Sequence, residues 1–108
     1  MSKIGGSSKI QRLLKESSLL CHAGKFTEAK KIYQDLLKLT PNHPEVLGNL
    51  GTIELQEGNT DIGVSYLTQA LKTNPTEIKF IINLGNGLID LKKFDEALTY
   101  YEAAEKIN

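Results

Sequence analysis

The sequence predicts an all-α fold: six helices paired into three successive helix-turn-helix repeats. Three observations lead there. Identities recur at a spacing of 34 residues, apolar residues inside each stretch step by three and four, and Gly and Pro gather where those stripes break. A period has to be settled before any single helix, because repeated units bury their apolar faces on one another.

The period shows first in Asn49-Leu50-Gly51, which returns as Asn83-Leu84-Gly85. Leu39-Thr40-Pro41 is echoed by Thr73-Asn74-Pro75, and Gly24 by Gly58. Whole triplets follow the same displacement: Phe26, Thr60 and Phe94, then Ala29, Gly63 and Ala97, then Tyr33, Leu67 and Tyr101, then Leu36, Ala70 and Ala104.

Each element then follows from its own residues. The first helix is expected over about 9–23, on a stripe of Leu13, Leu20 and Ala23. It should stop at Gly24, since a helix commonly closes on a left-handed residue, which glycine adopts without steric cost. The second is expected over about 27–39 on Phe26, Ala29, Ile32, Tyr33, Leu36 and Leu39, with Thr27 as N-cap and an acidic residue next to it. Pro44 opens a third helix over about 44–57. Thr60 and Asp61 start a fourth, over about 60–73. Pro75 separates it from a fifth over about 77–91, and Asp95 caps a sixth over about 95–107. The opening residues 1–8, with Gly5-Gly6-Ser7-Ser8, are expected to form a flexible lead-in.

Composition narrows the kind of work done. The 108 residues carry 13 basic and 13 acidic side chains, which removes the electrostatic footprint of a general nucleic-acid binder and of a charge-driven membrane binder. No apolar run exceeds three residues, far below the roughly 18–20 that cross a bilayer. A single cysteine, Cys21, forms no internal disulfide, so a reducing, cytoplasmic setting is expected.

Catalytic, cofactor and metal chemistry find no support. Cys21 and His22 are adjacent, and neighbours one apart on a helix do not face each other. His43 precedes Pro44 and reads as part of an interrepeat turn. No His-Glu-x-x-His pattern exists for zinc, and the acidic residues lack calcium-loop spacing. Gly48-Asn49-Leu50-Gly51 and Gly85-Asn86-Gly87 have neither the preceding strand nor the following Lys-Ser/Thr of a phosphate loop, so close helix packing explains them better.

On these residues the chain resembles the tetratricopeptide repeat family, over units 10–43, 44–77 and 78–108. The small residues Gly51, Gly85, Ala29, Gly63 and Ala97 and the bulky Leu13, Leu47, Ile81, Phe26 and Phe94 stand where the family pattern wants them. The resemblance implies a right-handed α-solenoid whose first helices line a concave face. It departs in places: Glu16-Ser17 replace a Leu-Gly pair, Lys92 stands at a closing glycine, and Glu54 fills an apolar slot where a carboxylate needs a partner to be buried cheaply.

The implied function is a non-catalytic protein-interaction module holding an extended peptide. Three- and four-residue steps place Lys79, Ile82, Asn83, Asn86 and Ile89 on one face of the fifth helix, and the same phase gives Asn49 and Thr52 on the third and Leu14 and Ser18 on the first. Asn49 and Asn83 are the leading candidates, because an amide offers a donor and an acceptor to any peptide backbone, and family members that grip extended peptides use asparagines in this phase. The resemblance also implies a test for binding acidic C-terminal tails: Asn49 and Lys79 fit the family's carboxylate-holding set, whereas Leu14, Ser18 and Asn83 do not. The alternatives are an N-terminal targeting arm of a larger enzyme, such as a sugar transferase, and a self-assembling scaffold.

Charge is unevenly spread, eight basic and three acidic residues in 1–43, one and five in 44–77, four and five in 78–108. The third unit stops short of its proline and of any closing helix. Phe80, Ile81 and Leu88 are therefore expected at an exposed edge, and weak self-association through that repeat is expected with them.

Overall fold

The computed structural model describes the backbone of residues 2–107 and the side chains of residues 8–107. Six helices follow one another: α1 (Ser2–His22), α2 (Phe26–Leu39), α3 (Pro44–Gln56), α4 (Thr60–Thr73), α5 (Ile78–Asp90) and α6 (Phe94–Ile107). Every boundary but one lies within one residue of expectation. The exception is the start of α1, where residues 2–8 continue the helix in place of the expected lead-in. Extending a formed helix adds one hydrogen bond per residue fixed, so even Gly and Ser join it. Met1 lies outside the described residues.

The chain divides into two compact units, residues 1–41 and 42–108. In the first, α1 packs on α2. In the second, α3 packs on α4, α4 on α5 and α5 on α6, while α3 also meets α5. This is sequential stacking of hairpins, and its core is Val46, Leu47, Leu50, Ile53, Leu67, Ala70, Phe80, Ile81, Leu84, Leu88 and Ala97. Phe80, Ile81 and Leu88 are thus buried and not an exposed edge. Phe80 lies against Gly48 of α3, which shows that α5 turns this stripe inward.

Small residues set the closeness of each hairpin. A methyl on Gly63 would come within 2.8 Å of the Gly51 carbonyl oxygen, and one on Gly51 within 3.0 Å of the Gly63 oxygen, so α3 and α4 touch main chain to main chain. At Gly85 the approaching group is instead the ring of Tyr101. Ser17 holds the corresponding place in α1, fully buried, and its hydroxyl donates to the carbonyls of Leu13 at 2.9 Å and Leu14 at 3.0 Å. That bond pair makes the Gly-to-Ser departure tolerable.

All three hairpins turn by the same hydrogen-bond pattern. The Lys25 N–H reaches back to Leu20 and that of Gly24 to Cys21, Asn59 reaches Glu54 and Gly58 reaches Leu55, and Lys93 reaches Leu88 and Lys92 reaches Ile89. This paired closure requires a left-handed residue, with φ of 78° at Gly24, 87° at Gly58 and 62° at Lys92. The turn is so short that the residue after it already caps the next helix. Lys25, Asn59 and Lys93 accept the first helical bonds from Ala29, Gly63 and Ala97, so Thr27, Thr60, Asp61 and Asp95 are inside their helices and not N-caps.

Between repeats, His43 serves as the N-cap of α3. Its Nδ1 accepts the Glu45 N–H at 3.2 Å and Pro44 occupies the first turn. The turn assignment for His43 holds, and its imidazole has a structural duty the sequence reading missed.

Candidate functional site

Within the second unit, α3 and α5 meet through Gly48, Thr52, Phe80 and Asn83. The absence of a side chain on Gly48 admits the Phe80 ring, which brings the helices close enough for a polar link. The Asn83 Nδ2 donates to Thr52 Oγ1 at 3.0 Å, and that hydroxyl donates in turn to the Gly48 carbonyl at 2.9 Å. Asn83 is therefore held in one orientation.

Its period mate differs. Asn49 is half-buried, and its amide makes no side-chain hydrogen bond among the described residues. The two rungs expected to be equivalent are thus one fixed amide and one uncommitted amide. Asn86 follows a third pattern, its Oδ1 accepting the Tyr101 hydroxyl at 2.5 Å, which leaves its NH2 group outward. Lys79, Ile82 and Asn86 are exposed beside this contact. Together with Asn49 and Asn83 they make a surface with amide donors and acceptors, an ammonium group and an aliphatic side chain.

Three further residues complete the expected set. Leu14 and Ser18 belong to α1 in the first unit, both half-buried, and the Ser18 carbonyl accepts His22 Nδ1–H at 2.9 Å. Ile89, on α5, is 39% exposed. One period earlier, Leu55 of α3 fits against Gly63 of α4 and Gly87 of α5.

Glu54 is 6% exposed and its Oε1 accepts the Asn59 Nδ2 at 2.9 Å. The two residues are the ends of the hairpin closure, where an apolar contact usually sits. The partner a buried carboxylate needs is thus supplied five residues downstream, a spacing readable only once the turn type is known.

Among the described residues, no group of three His, Cys, Asp or Glu side chains could hold a metal ion. No described helix is long and apolar enough to cross a membrane.

Comparison with known proteins gives this repeat pattern a setting. Two models described as tetratricopeptide repeat match the chain, one over residues 12–43 and the other over 44–77 and 78–108. A protein adenylyltransferase Fic of Nematostella vectensis is 31% identical over 86 residues, which is 79% of this chain and 20% of that protein. The chain thus spans about a fifth of that relative's length. Among solved structures, a mutant O-GlcNAc transferase of Thermobaculum terrenum superposes with a TM-score of 0.90 at 22% identity, over 94% of this chain and 20% of that one. The second TPR domain of Spaghetti (RPAP3), bound to the HSP90 peptide SRMEEVD, superposes with a TM-score of 0.88 at 15% identity over all of both chains. At those identities the structures share the fold.

Proposed function

The chain belongs to the tetratricopeptide repeat family, and from that premise we propose that it is a non-catalytic interaction module that takes an extended peptide of a partner protein along α3 and α5. The observation that carries this reading is the asparagine pair one period apart. Asn83 is oriented by Thr52, and Asn49 is free of internal hydrogen bonds among the described residues. An amide already fixed loses little freedom on binding, and an uncommitted one can satisfy both polar groups of a peptide unit. Lys79 adds a charge for an acidic residue or a terminal carboxylate, and Ile82 an apolar contact. The peptide-bound Spaghetti domain supports the mode of use by analogy.

The test is calorimetric. A peptide selected by display on the native protein should bind with a Kd on the order of micromolar. Asn49→Ala with Asn83→Ala should weaken it about tenfold or more, with helicity unchanged by circular dichroism. Unaltered affinity in the double variant would refute the groove. An acidic C-terminal tail peptide should bind more weakly than about 100 μM, because only Asn49 and Lys79 fit the carboxylate-holding set. Low-micromolar binding would place the module with the chaperone-tail readers.

A second reading has its own observation. The chain corresponds to about one fifth of an adenylyltransferase and of a sugar-transferase chain. In that reading the same surface selects substrates for a catalytic domain elsewhere in a longer protein. A reducing, cytoplasmic setting suits either role.

A further inference from the structure

Within the second unit a groove of about 310 Å³ opens between α4, α5 and α6. Its apolar surface comes from the buried Leu71 and Ile81, with Pro75, Ala103 and the Tyr100 ring around them. The groove is internal to the stack. On α4, the residues turned toward α5 are Val64, which meets Gly87, and Thr68, Leu71 and Lys72, which share the groove with Ile81. Tyr100 and Ala103 of α6 are the period mates of Tyr66 and Gln69, which are not in that set. They face back toward α4, so a hairpin stacked on α6 in the same manner would leave the groove open.

Two uncommitted polar groups stand at this apolar surface. Lys72 is the sole basic residue of 44–77, is exposed, and forms no ion pair among the described residues. The half-buried Tyr100 makes no side-chain hydrogen bond among them either, whereas the Thr68 hydroxyl already donates to the Val64 carbonyl at 2.7 Å. An ammonium group and a phenol both donate, and the ammonium cannot accept. The sequence also shows where the space comes from. Leu71, Lys72, Pro75, Ile81 and Tyr100 have the period mates Leu37, Lys38, Pro41, Leu47 and Tyr66, but Thr68 and Ala103 stand where the preceding period has Gln34 and Gln69. Two long amides have given way to short side chains.

We propose that this groove is a second docking site, which takes one aromatic side chain of a partner protein's peptide segment together with an adjacent Asp or Glu. The aromatic ring lies on Leu71, Ile81 and Ala103, and the carboxylate is held by Lys72 and the Tyr100 hydroxyl. The occupant follows from size and charge. About 310 Å³ is at the small end of ligand cavities, room for one large side chain and too little for a helix. A lone cation beside an apolar surface favours an acidic neighbour and repels a basic one. The site shares no residue with the asparagine pair and does not rest on the peptide reading.

The probe is the acetylated and amidated peptide Gly-Glu-Trp-Glu-Gly, titrated with the full chain. The chain holds no tryptophan, so the probe's emission reports the contact alone. A saturable blue shift with a Kd of about 0.1–1 mM is expected. Ala103→Gln, which restores the side chain found one period earlier, should weaken binding about tenfold by filling the groove. Lys72→Glu, an exchange at an exposed position, should weaken it about fivefold, and Asn49→Ala with Asn83→Ala should leave it unchanged. No saturable shift, binding indifferent to Ala103→Gln or to Lys72→Glu, equal binding of Gly-Lys-Trp-Lys-Gly, or loss of binding in the asparagine double variant overturns the proposal. So does indoleacetate binding as tightly as the pentapeptide, since the groove would then be a small-molecule site. Self-association in sedimentation that Ala103→Gln abolishes overturns it too, since the occupant would be a second copy.

Discussion

Lys92 holds a left-handed backbone that glycine holds in the other two hairpins. A side chain costs about 1–2 kcal/mol there, whereas glycine gives some of that back through its freer unfolded chain. Lys92→Gly should therefore raise stability by about 0.5–1 kcal/mol, measured as a higher urea midpoint with the same slope. An equal or lower midpoint would mean that the lysine gains contacts worth more than its strain. Asn59 poses the opposite case. Removing its amide takes a charge-assisted bond from the buried Glu54, and Asn59→Ala should cost about 1–2 kcal/mol. Glu54→Leu should largely abolish that penalty in a double-mutant cycle, because an apolar residue no longer needs the amide. Lys92 and Glu54 stood out in the sequence as departures from a pattern. What the pattern withheld was the remedy, since a five-residue pairing exists only in the closure geometry.

At the scale of the helix, periodicity located five of six starts and all six ends to within one residue, because Gly, Pro and the apolar stripes all change together there. It misplaced the N-caps. Thr27 and Asp95 have the right chemistry, yet the turn closes so tightly that Lys25 and Lys93 take the position by backbone geometry alone. The crossing of α3 and α4 carries the sharpest prediction for an element. Gly63→Ala would press a methyl against Leu55 and the Gly51 carbonyl, a backbone atom that cannot step aside. A loss of about 1–3 kcal/mol is expected in chemical denaturation. Gly58→Ala should also destabilise, but through φ and not through crowding, since nothing lies within 4 Å of a methyl there.

For the whole chain, the 34-residue period made the fold legible and the site only half so. Asn49 and Asn83 were visible as period mates, but their different roles depend on Thr52, which lies 31 residues from Asn83 and not 34. In the second unit α4 and α5 each pack strongly on two helices, while α6 has its main packing on α5. Native-state hydrogen exchange should accordingly find the slowest amides in α4 and α5 and markedly faster ones in α6. Equal protection across these helices would contradict nearest-neighbour stabilisation.

The bare meeting of Gly51 and Gly63 reaches further than the stability of one hairpin. Where two peptide groups set a separation, the gauge of the joint is made of material common to every amino acid, and mutation has no handle on it apart from the two glycines themselves. Surrounding side chains are then free to drift so long as they refill the same gap. A fold can in this way keep its dimensions while most of its letters change, as the superposition at 15% identity illustrates.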